Sequence, residues 1–317
     1  MQIKIGIIVV YFGQWPDWIT YFIRSCERNT EIDFIVFNDS HTTLSHNKNI
    51  KNKLLTMDEF NILASKKLGF KVKLNNPYKI CDFKPAIGRI FEDYLKGYYY
   101  WGFSDVDLIL GDLRKLVKRI VNNNYDFISL YRGFLSAPFF IVKNTSYLNS
   151  VYEKIKDYRY YLCRNEYCGI DENNKSAKKK PGKVKRVLNI IRFFVSNFTS
   201  HLIFRPTKEE IKYDLYWYIK KKEVTDPADF TEVIHLLSRR GHKSCLFTGG
   251  MESDRSMRRK GIYKWRVDSV GGRLFIPVLK KEVLIFHFPE SKKKKKFSVS
   301  VFQGNFIINP NGIVKYG

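Results

Sequence analysis

The residues best suited to chemistry lie in 98–112, YYYWGFSDVDLILGD, where an apolar run stops at two carboxylates. Residues 98–103 read as a buried strand, and Asp105 and Asp107 stand two apart at its end, so an extended chain would send both side chains off one face. Two hard oxygen donors meeting at one point suit Mg²⁺ or Mn²⁺, with water and substrate phosphates filling the remaining positions. About one Asp-x-Asp is expected by composition alone in such a chain. Its surroundings have to decide.

The elements that must position this pair begin at the N-terminus. Residues 3–12, IKIGIIVVYF, are β-branched and apolar and end at Gly13, the pattern of a strand buried on both faces of a parallel sheet. Pro16 and Asp17 open a helix whose apolar positions Trp18, Ile19, Phe22, Ile23 and Cys26 recur at helical spacing. A second strand, 33–38, ends in the turn Asn38-Asp39-Ser40. Strand, helix and strand in forty residues predict a right-handed parallel crossover. The fold class expected is α/β with a doubly wound sheet.

In such sheets the ligand sits outside the carboxyl ends of the strands, here marked by Tyr11, Phe12 and Gly13, by Asp39, and by Ser104, Asp105 and Asp107. The first turn lacks G-x-G-x-x-G, which disfavours a nicotinamide or flavin enzyme. Tyr11 could stack on a base and Asp39 accept hydrogen bonds from a base or ribose. The plainer alternatives are a strand-end aromatic and an Asx-turn residue. A short strand is expected in 49–57 and a helix in 58–68, capped by Asp58 and stopped by Gly69. Pro85 then marks the first turn of a helix with the apolar stripe Ile87, Ile90, Phe91, Tyr94 and Leu95. Lys84 would thus stand at a helix N-terminus, a place that favours an anion such as phosphate; a solvated lysine is the alternative. A helix at 113–121 and strands at 125–131 and 139–142 follow.

Composition bounds the rest. The chain has 317 residues, 44% of them hydrophobic and 16% aromatic, enough for one sizeable core. Fifty-six Lys and Arg against 31 Asp and Glu give a net charge of +25, so the surface should attract polyanions: nucleic acid, an anionic bilayer or a phosphorylated substrate. Five Cys with no C-x-x-C favour reduced thiols and a cytoplasmic location over disulfides or a zinc site. The N-terminal apolar run is too short for a signal peptide, and no uncharged run approaches a membrane span.

The succession IIVVYFG, DFIVFND and NPYKICDFKPAIGRIFEDYLKGYYYWGFSDVDLILGDLRK resembles a bacterial family of capsular or lipopolysaccharide glycosyltransferases of GT-A type, many known only as domains of unknown function. The likeness covers most of residues 1–172, with a thinner echo at VLIFHF near the C-terminus. It implies a GT-A-like doubly wound mixed sheet with a Rossmann-like donor half and a smaller acceptor-side region. It further implies a nucleotide-sugar donor, most simply a UDP-sugar, in the crevice, with Mn²⁺ or Mg²⁺ bridging Asp105 and Asp107 to its diphosphate. His287, in the matching place, would complete the metal site; without the family context it reads as a core histidine. Lys84 would lie near the diphosphate, and Tyr11 and Asp39 on the nucleoside. Asp171 and Glu172 stand where relatives carry an acidic pair. One of them would serve as general base toward the acceptor hydroxyl if the anomeric centre is inverted, the alternative being a solvated loop, with Glu166, Asp226, Asp229, Glu232 and Asp254 as competitors.

Three parts are expected: 1–172 binds the donor, 173–206 is a basic linker and insertion, and 207–317 is the acceptor-side part completing the catalytic domain. Residues 183–204, KVKRVLNIIRFFVSNFTSHLIF, carry an apolar stripe with basic residues elsewhere on the wheel, as an in-plane helix on an anionic bilayer would. The lysine run 292–296 could assist at about 1 kcal/mol per Lys. Packing on this protein's own sheet or on a second subunit, and simple solvation of the lysines, are the alternatives. Helices at 211–221 and 226–241 and strands at 283–288 and 306–308 rejoining the core complete the expectation. The partners expected are a nucleotide-sugar donor, a glycan or lipid-linked acceptor and the inner face of a membrane, with no specific nucleic acid. A phosphohydrolase with Asp105 as nucleophile is disfavoured by Ile109 where those enzymes carry Thr or Val. A non-catalytic basic protein binding membrane or nucleic acid would leave the acidic pair idle.

Overall fold

The computed structural model describes residues 3–131, 135–172, 227–239, 245–248, 250–294, 296–300 and 304–316. The expected insertion at 183–204 and the helix at 211–221 lie outside these residues.

Strand β1 (Ile5–Tyr11) is buried almost throughout, because both faces of its sheet are covered. Ile8 and Val10 enter one apolar core with Phe12, while Ile5, Ile7 and Val9 enter a second on the opposite face, the period-two division a strand imposes. Strands β2 (Ile32–Asn38), β3 (Ile50–Leu54) and β4 (Tyr100–Ser104) extend the sheet in parallel from β1, in the order β3-β2-β1-β4. Strand β5 (Leu108–Leu110) leaves this sheet. Strands β6 (Phe127–Ser129), β7 (Phe139–Lys143) and β8 (Cys245–Phe247) finish it, with β7 antiparallel to both β4 and β6. The result is a mixed α/β sheet of seven strands among the described residues. The helix Ile19–Glu27 connects β1 to β2 and buries Phe22, Ile23 and Cys26 on one face of the sheet; Met57–Leu68 buries Phe60, Ala64 and Leu68 on the other.

Two local expectations need correction. Thr56, not Asp58, caps the helix Met57–Leu68: its side chain accepts from the Glu59 N–H while the Glu59 carboxylate accepts from the Thr56 N–H. This is the reciprocal box that Thr-x-x-Glu specifies. The helix stops at Gly69, with φ 76° as expected of a left-handed C-cap. Lys84 does not begin a helix. The helical run starts earlier, at Pro77–Lys79, and passes through Ile80–Phe83, Lys84–Ala86 and Ile87–Ile90 as alternating 3₁₀ and α turns. Pro85 lacks an N–H to continue an α-helix, which accounts for the break.

The segment expected as one strand at 283–288 is two. Strand β9 (Met251–Ser253) pairs in parallel with β13 (Ile285–His287), which pairs antiparallel with β5 to make a three-stranded sheet. Strand β12 (Lys281–Val283) belongs instead to an outer sheet with β10 (Val267–Val270), β11 (Arg273–Ile276), β14 (Ser298–Val299), β15 (Phe306–Asn309) and β16 (Gly312–Lys315). The strand expected at 306–308 therefore joins this outer sheet and not the central one. Tyr21 and Ile109 bridge the outer sheet to the rest through a third core around Trp265, Leu274 and Phe286.

Candidate active site

Strand β4 ends at Ser104, which is fully buried and donates its hydroxyl to the carbonyl of Asp105 at 3.0 Å. The chain then bends over 105–107 before entering β5. The bend is held on three sides: the Asp105 N–H donates to Pro138 (2.9 Å), the Phe288 N–H to the Asp107 carbonyl (3.2 Å), and the Trp18 indole to the Val106 carbonyl (3.1 Å). The two carboxylates thus leave from a bend between two sheets, Asp105 toward Lys84 and Asp107 toward His287 and Lys292. They do not share a face of one extended strand.

His287 reaches them through strand register, as the partner of Leu108 across the β5–β13 pair. Its Nε2 lies 3.1 Å from Oδ2 of Asp107, and Lys292 Nζ lies 2.6 Å from the same oxygen. Burial raises the Asp107 carboxyl, but His287 and Lys292 outweigh it and hold the group well below the usual carboxylate range. Asp105 is turned toward Lys84, whose Nζ donates to its Oδ2 at 2.8 Å. Burial pushes the Asp105 carboxyl up, opposed by the charge of Lys84 and reinforced by that of Asp107. The opposite shifts give the neighbouring carboxyls different affinities for a proton.

Lys84 is 2% exposed and stands over the Phe103 ring at 4.9 Å. Burial lowers its pKa, yet the charge of Asp105 and its neighbours raises it well above the ordinary lysine value. On its far side lies Asp171, 3.8 Å from Nζ, which accepts a hydrogen bond from the Tyr167 hydroxyl at 2.8 Å. Burial pushes the Asp171 carboxyl well up, with the charge of Lys84 opposing. Lys84 therefore bridges the Asp-x-Asp bend to the candidate base, and Glu172 follows half-buried at the end of the same segment.

That segment is anchored from beneath by residues the sequence did not single out. Asp82, fully buried, accepts from the N–H groups of Cys168 (2.7 Å), Gly169 (2.8 Å) and Ile170 (3.0 Å). Lys79, 1% exposed, donates to Asp82 (2.8 Å) and to the carbonyls of Tyr161 (2.6 Å) and Glu166 (2.8 Å). Every partner of this buried pair lies nearby in space, so neither charge is left uncompensated. Nothing in the local pattern of N-P-Y-K-I-C-D signals it beyond the i, i+3 spacing of opposite charges.

At the end of β1, Tyr11 stacks on Trp15 with ring centroids 4.9 Å apart. Burial raises the Tyr11 hydroxyl, opposed by the charge of Lys292 and reinforced by those of Asp107 and Asp39. Gly13, at φ 94°, donates its N–H to both oxygens of Asp39 (2.9 and 3.1 Å). The Asp39 carboxylate is thus already engaged in joining the ends of β1 and β2. The Phe12 side chain is 5% exposed and packs on Phe60 in the core.

Among the described residues no three His, Cys, Asp or Glu side chains close around one point as a ready-made metal cage. The chemistry of the donor set is nevertheless suitable: two carboxylates and an imidazole. Ligand atoms about 2.1 Å from an octahedral ion and at right angles to each other stand about 3 Å apart, matching the 3.1 Å between Asp107 Oδ2 and His287 Nε2. The ammonium of Lys292 already stands on that oxygen as a cation. Asp105 is engaged instead by Lys84, at 2.8 Å, and would join the set only by turning from it.

Among the competitors for the base, Asp254 is buried and accepts from the N–H groups of Glu290 (3.2 Å) and Ser291 (2.6 Å), and Asp229 accepts from the Glu232 N–H (3.0 Å). All five cysteines with described surroundings are free thiols. No helix among the described residues is long and apolar enough to cross a membrane.

No curated protein matches this sequence. Among solved structures, the chain is similar to the galactosyltransferase LgtC in complex with donor and acceptor sugar analogs, at 9% identity and a TM-score of 0.34, over 51% of this chain and 66% of that one, just under two thirds of its length. It is similar also to an active-site mutant of LgtC, at 9% identity and a TM-score of 0.36, over 90% of this chain and 87% of that one. A family model matches residues 7–317, and the chain belongs to that family, described as a family of unknown function, DUF6625.

Proposed function

We propose that this protein is a metal-dependent glycosyltransferase of GT-A type that moves a sugar from a nucleotide-diphosphate donor, a UDP-sugar, to a growing surface glycan or lipid-linked acceptor. The observation that carries the reading is the meeting of Asp107 and His287 at 3.1 Å beside Asp105, at the carboxyl end of β4. Asp105, Asp107 and His287 would hold Mn²⁺ or Mg²⁺. When bound, the ion supplies Lewis-acid stabilisation of the negative charge left on the departing nucleoside diphosphate.

The chain's own groups do the rest. Lys84 keeps a positive charge fixed next to Asp105 in a buried setting, where a charge acts more strongly than in water. Tyr11, braced on Trp15, offers an aromatic surface to the nucleoside base. Asp39 stiffens the turn that borders it by binding the Gly13 N–H. Asp171 has a carboxyl raised from the ordinary range, which suits a base that takes a proton from an acceptor hydroxyl near neutral pH. Residues 1–172 would form the donor-binding part and 207–317 the acceptor side. Surface polysaccharide assembly would place the protein in the cytoplasm, peripheral to the inner face of the membrane, with the basic segments 183–204 and 292–296, apart from Lys292 held on Asp107, as candidate contacts.

The test is thermal: Mn²⁺ with UDP should raise the melting temperature, since a ligand at about one hundred times its Kd stabilises by about 2.7 kcal/mol, and Asp107→Asn should abolish the rise. A wild-type protein indifferent to Mn²⁺ and every nucleoside diphosphate would refute the reading. A screen of nucleotide sugars for metal-dependent hydrolysis would then name the donor.

A further inference from the structure

Lysines 292–296 form a run of identical residues, yet they do not behave alike. Lys293 and Lys294 are exposed, whereas the side chain of Lys292 is 25% exposed and its Nζ lies 2.6 Å from Oδ2 of Asp107 and 5.8 Å from the centre of the Trp18 ring. The backbone delivers it there. Strands β9 and β13 run in parallel with Ser253 opposite His287. Asp254, which follows β9 and opens the helix Asp254–Arg259, accepts from the N–H groups of Glu290 and Ser291. The turn after His287 is therefore clamped one residue before Lys292.

We infer that the ammonium of Lys292 is an internal cation seated on the oxygen of Asp107 that a divalent ion would use, so that Lys292 must leave before the ion binds and thereby sets the affinity of the site for metal. The inference rests on the metal-dependent reading above. Asp107 has a side chain 7% exposed, and a carboxylate so placed is costly without a charged partner. Lys292 is that partner at 2.6 Å, with the His287 imidazole beside it at 3.1 Å. A second cation cannot share the same oxygen lobe at hydrogen-bonding distance, and the lysine's four-carbon stem gives it somewhere to go. The exchange is one cation for another on the same oxygen: the ammonium leaves as the divalent ion arrives, and His287 would ligate that ion as the neutral imidazole.

The experiment is a titration with Mn²⁺ alone, following free Mn²⁺ by electron paramagnetic resonance, so no donor or acceptor is required. Lys292→Met should bind Mn²⁺ about tenfold more tightly than the wild type, the ratio that corresponds to one charge-assisted hydrogen bond. Lys293→Met removes the same charge from an exposed neighbour and should change the affinity by less than about twofold at physiological salt, where surface charges are screened. Lys292→Gln, which retains a donor for Asp107 and so guards against failure to fold, should shift in the same direction as Lys292→Met. Equal affinity in wild type and both Lys292 variants, with binding still lost in Asp107→Asn, overturns the inference and leaves the metal site standing. Equal tightening by Lys293→Met overturns it too, since net charge would then suffice. Absence of Mn²⁺ binding in every form overturns the metal-dependent reading along with it.

Discussion

His287 and Asp107 touch at 3.1 Å although 180 residues separate them in the chain. The contact is fixed by a three-stranded sheet in which β13 runs between β5 and β9.

Asp82→Ala should be among the most damaging single changes outside the site. It strips the carboxylate from a fully buried Lys79 and leaves three backbone N–H groups without their acceptor. Breaking a buried pair on one side costs about 3–5 kcal/mol. Urea unfolding of the variant should show that loss; a change under about 1 kcal/mol would mean the pair is not buried as described.

Thr56 and Asp58 offer a controlled comparison of two capping assignments. Thr56→Ala removes the box with Glu59 and should cost about 1 kcal/mol. Asp58→Ala should cost much less, because Asp58 retains only its favourable place in the first helical turn. Reversal of that order in chemical denaturation would restore Asp58 as the cap.

Gly102→Ala tests the close packing of β4 against its neighbours. A Cβ there would collide with the Phe140 carbonyl oxygen on β7 and with Ile7 on β1, and backbone cannot yield as a side-chain tip does. Overpacking of this kind costs about 1–3 kcal/mol. Because β4 leads directly into the Asp105–Asp107 bend, the variant should also lose part of the Mn²⁺-induced thermal shift. An unchanged melting curve would argue against the close approach of β4 to β7.

Asp171 makes a prediction in pH. Its folded-state carboxyl is raised by burial, so the unfolded chain loses this proton first as pH climbs. Stability from the protonated group is complete below the ordinary carboxylate range near about pH 4 and declines above it. Asp171→Asn removes that decline, so its stability relative to the wild type should improve steadily from about pH 4 to about pH 7. A constant difference across that window, measured by urea midpoints, would show that Asp171 is not held in a raised state.

Much of this architecture is legible in local sequence. The run IKIGIIVVYF announces a strand covered on both faces, and Gly69 announces the end of a helix, because each depends on neighbours along the chain. The acidic pair and His287 are legible as candidate ligands through residue type and resemblance. Register is not. That Leu108 lies opposite His287 follows from packing three sheets together, and no short window of sequence encodes it. The bend at 105–107 hides for the same reason: Pro138, Phe288 and Trp18 hold it from far away. Nothing in the sequence distinguishes Lys292 from its four identical neighbours; the grip of Asp254 on the turn beside it does. The pair Lys79–Asp82 shows only as opposite charges three apart, a spacing common on solvated helices.

The strand carrying His287 also fixes when the crevice can mature during synthesis. Chains fold from the N-terminus as they emerge, at roughly 5–20 residues per second, and β1 to β4 are complete long before residue 287 is made. For that interval Asp107 has neither its imidazole nor its ammonium neighbour, and the bend lacks the Phe288 tether. A nascent chain stalled before β13 would carry strands β1 to β4 with the 105–107 bend still untethered, so the surroundings of Asp107 are completed only when that later segment folds back.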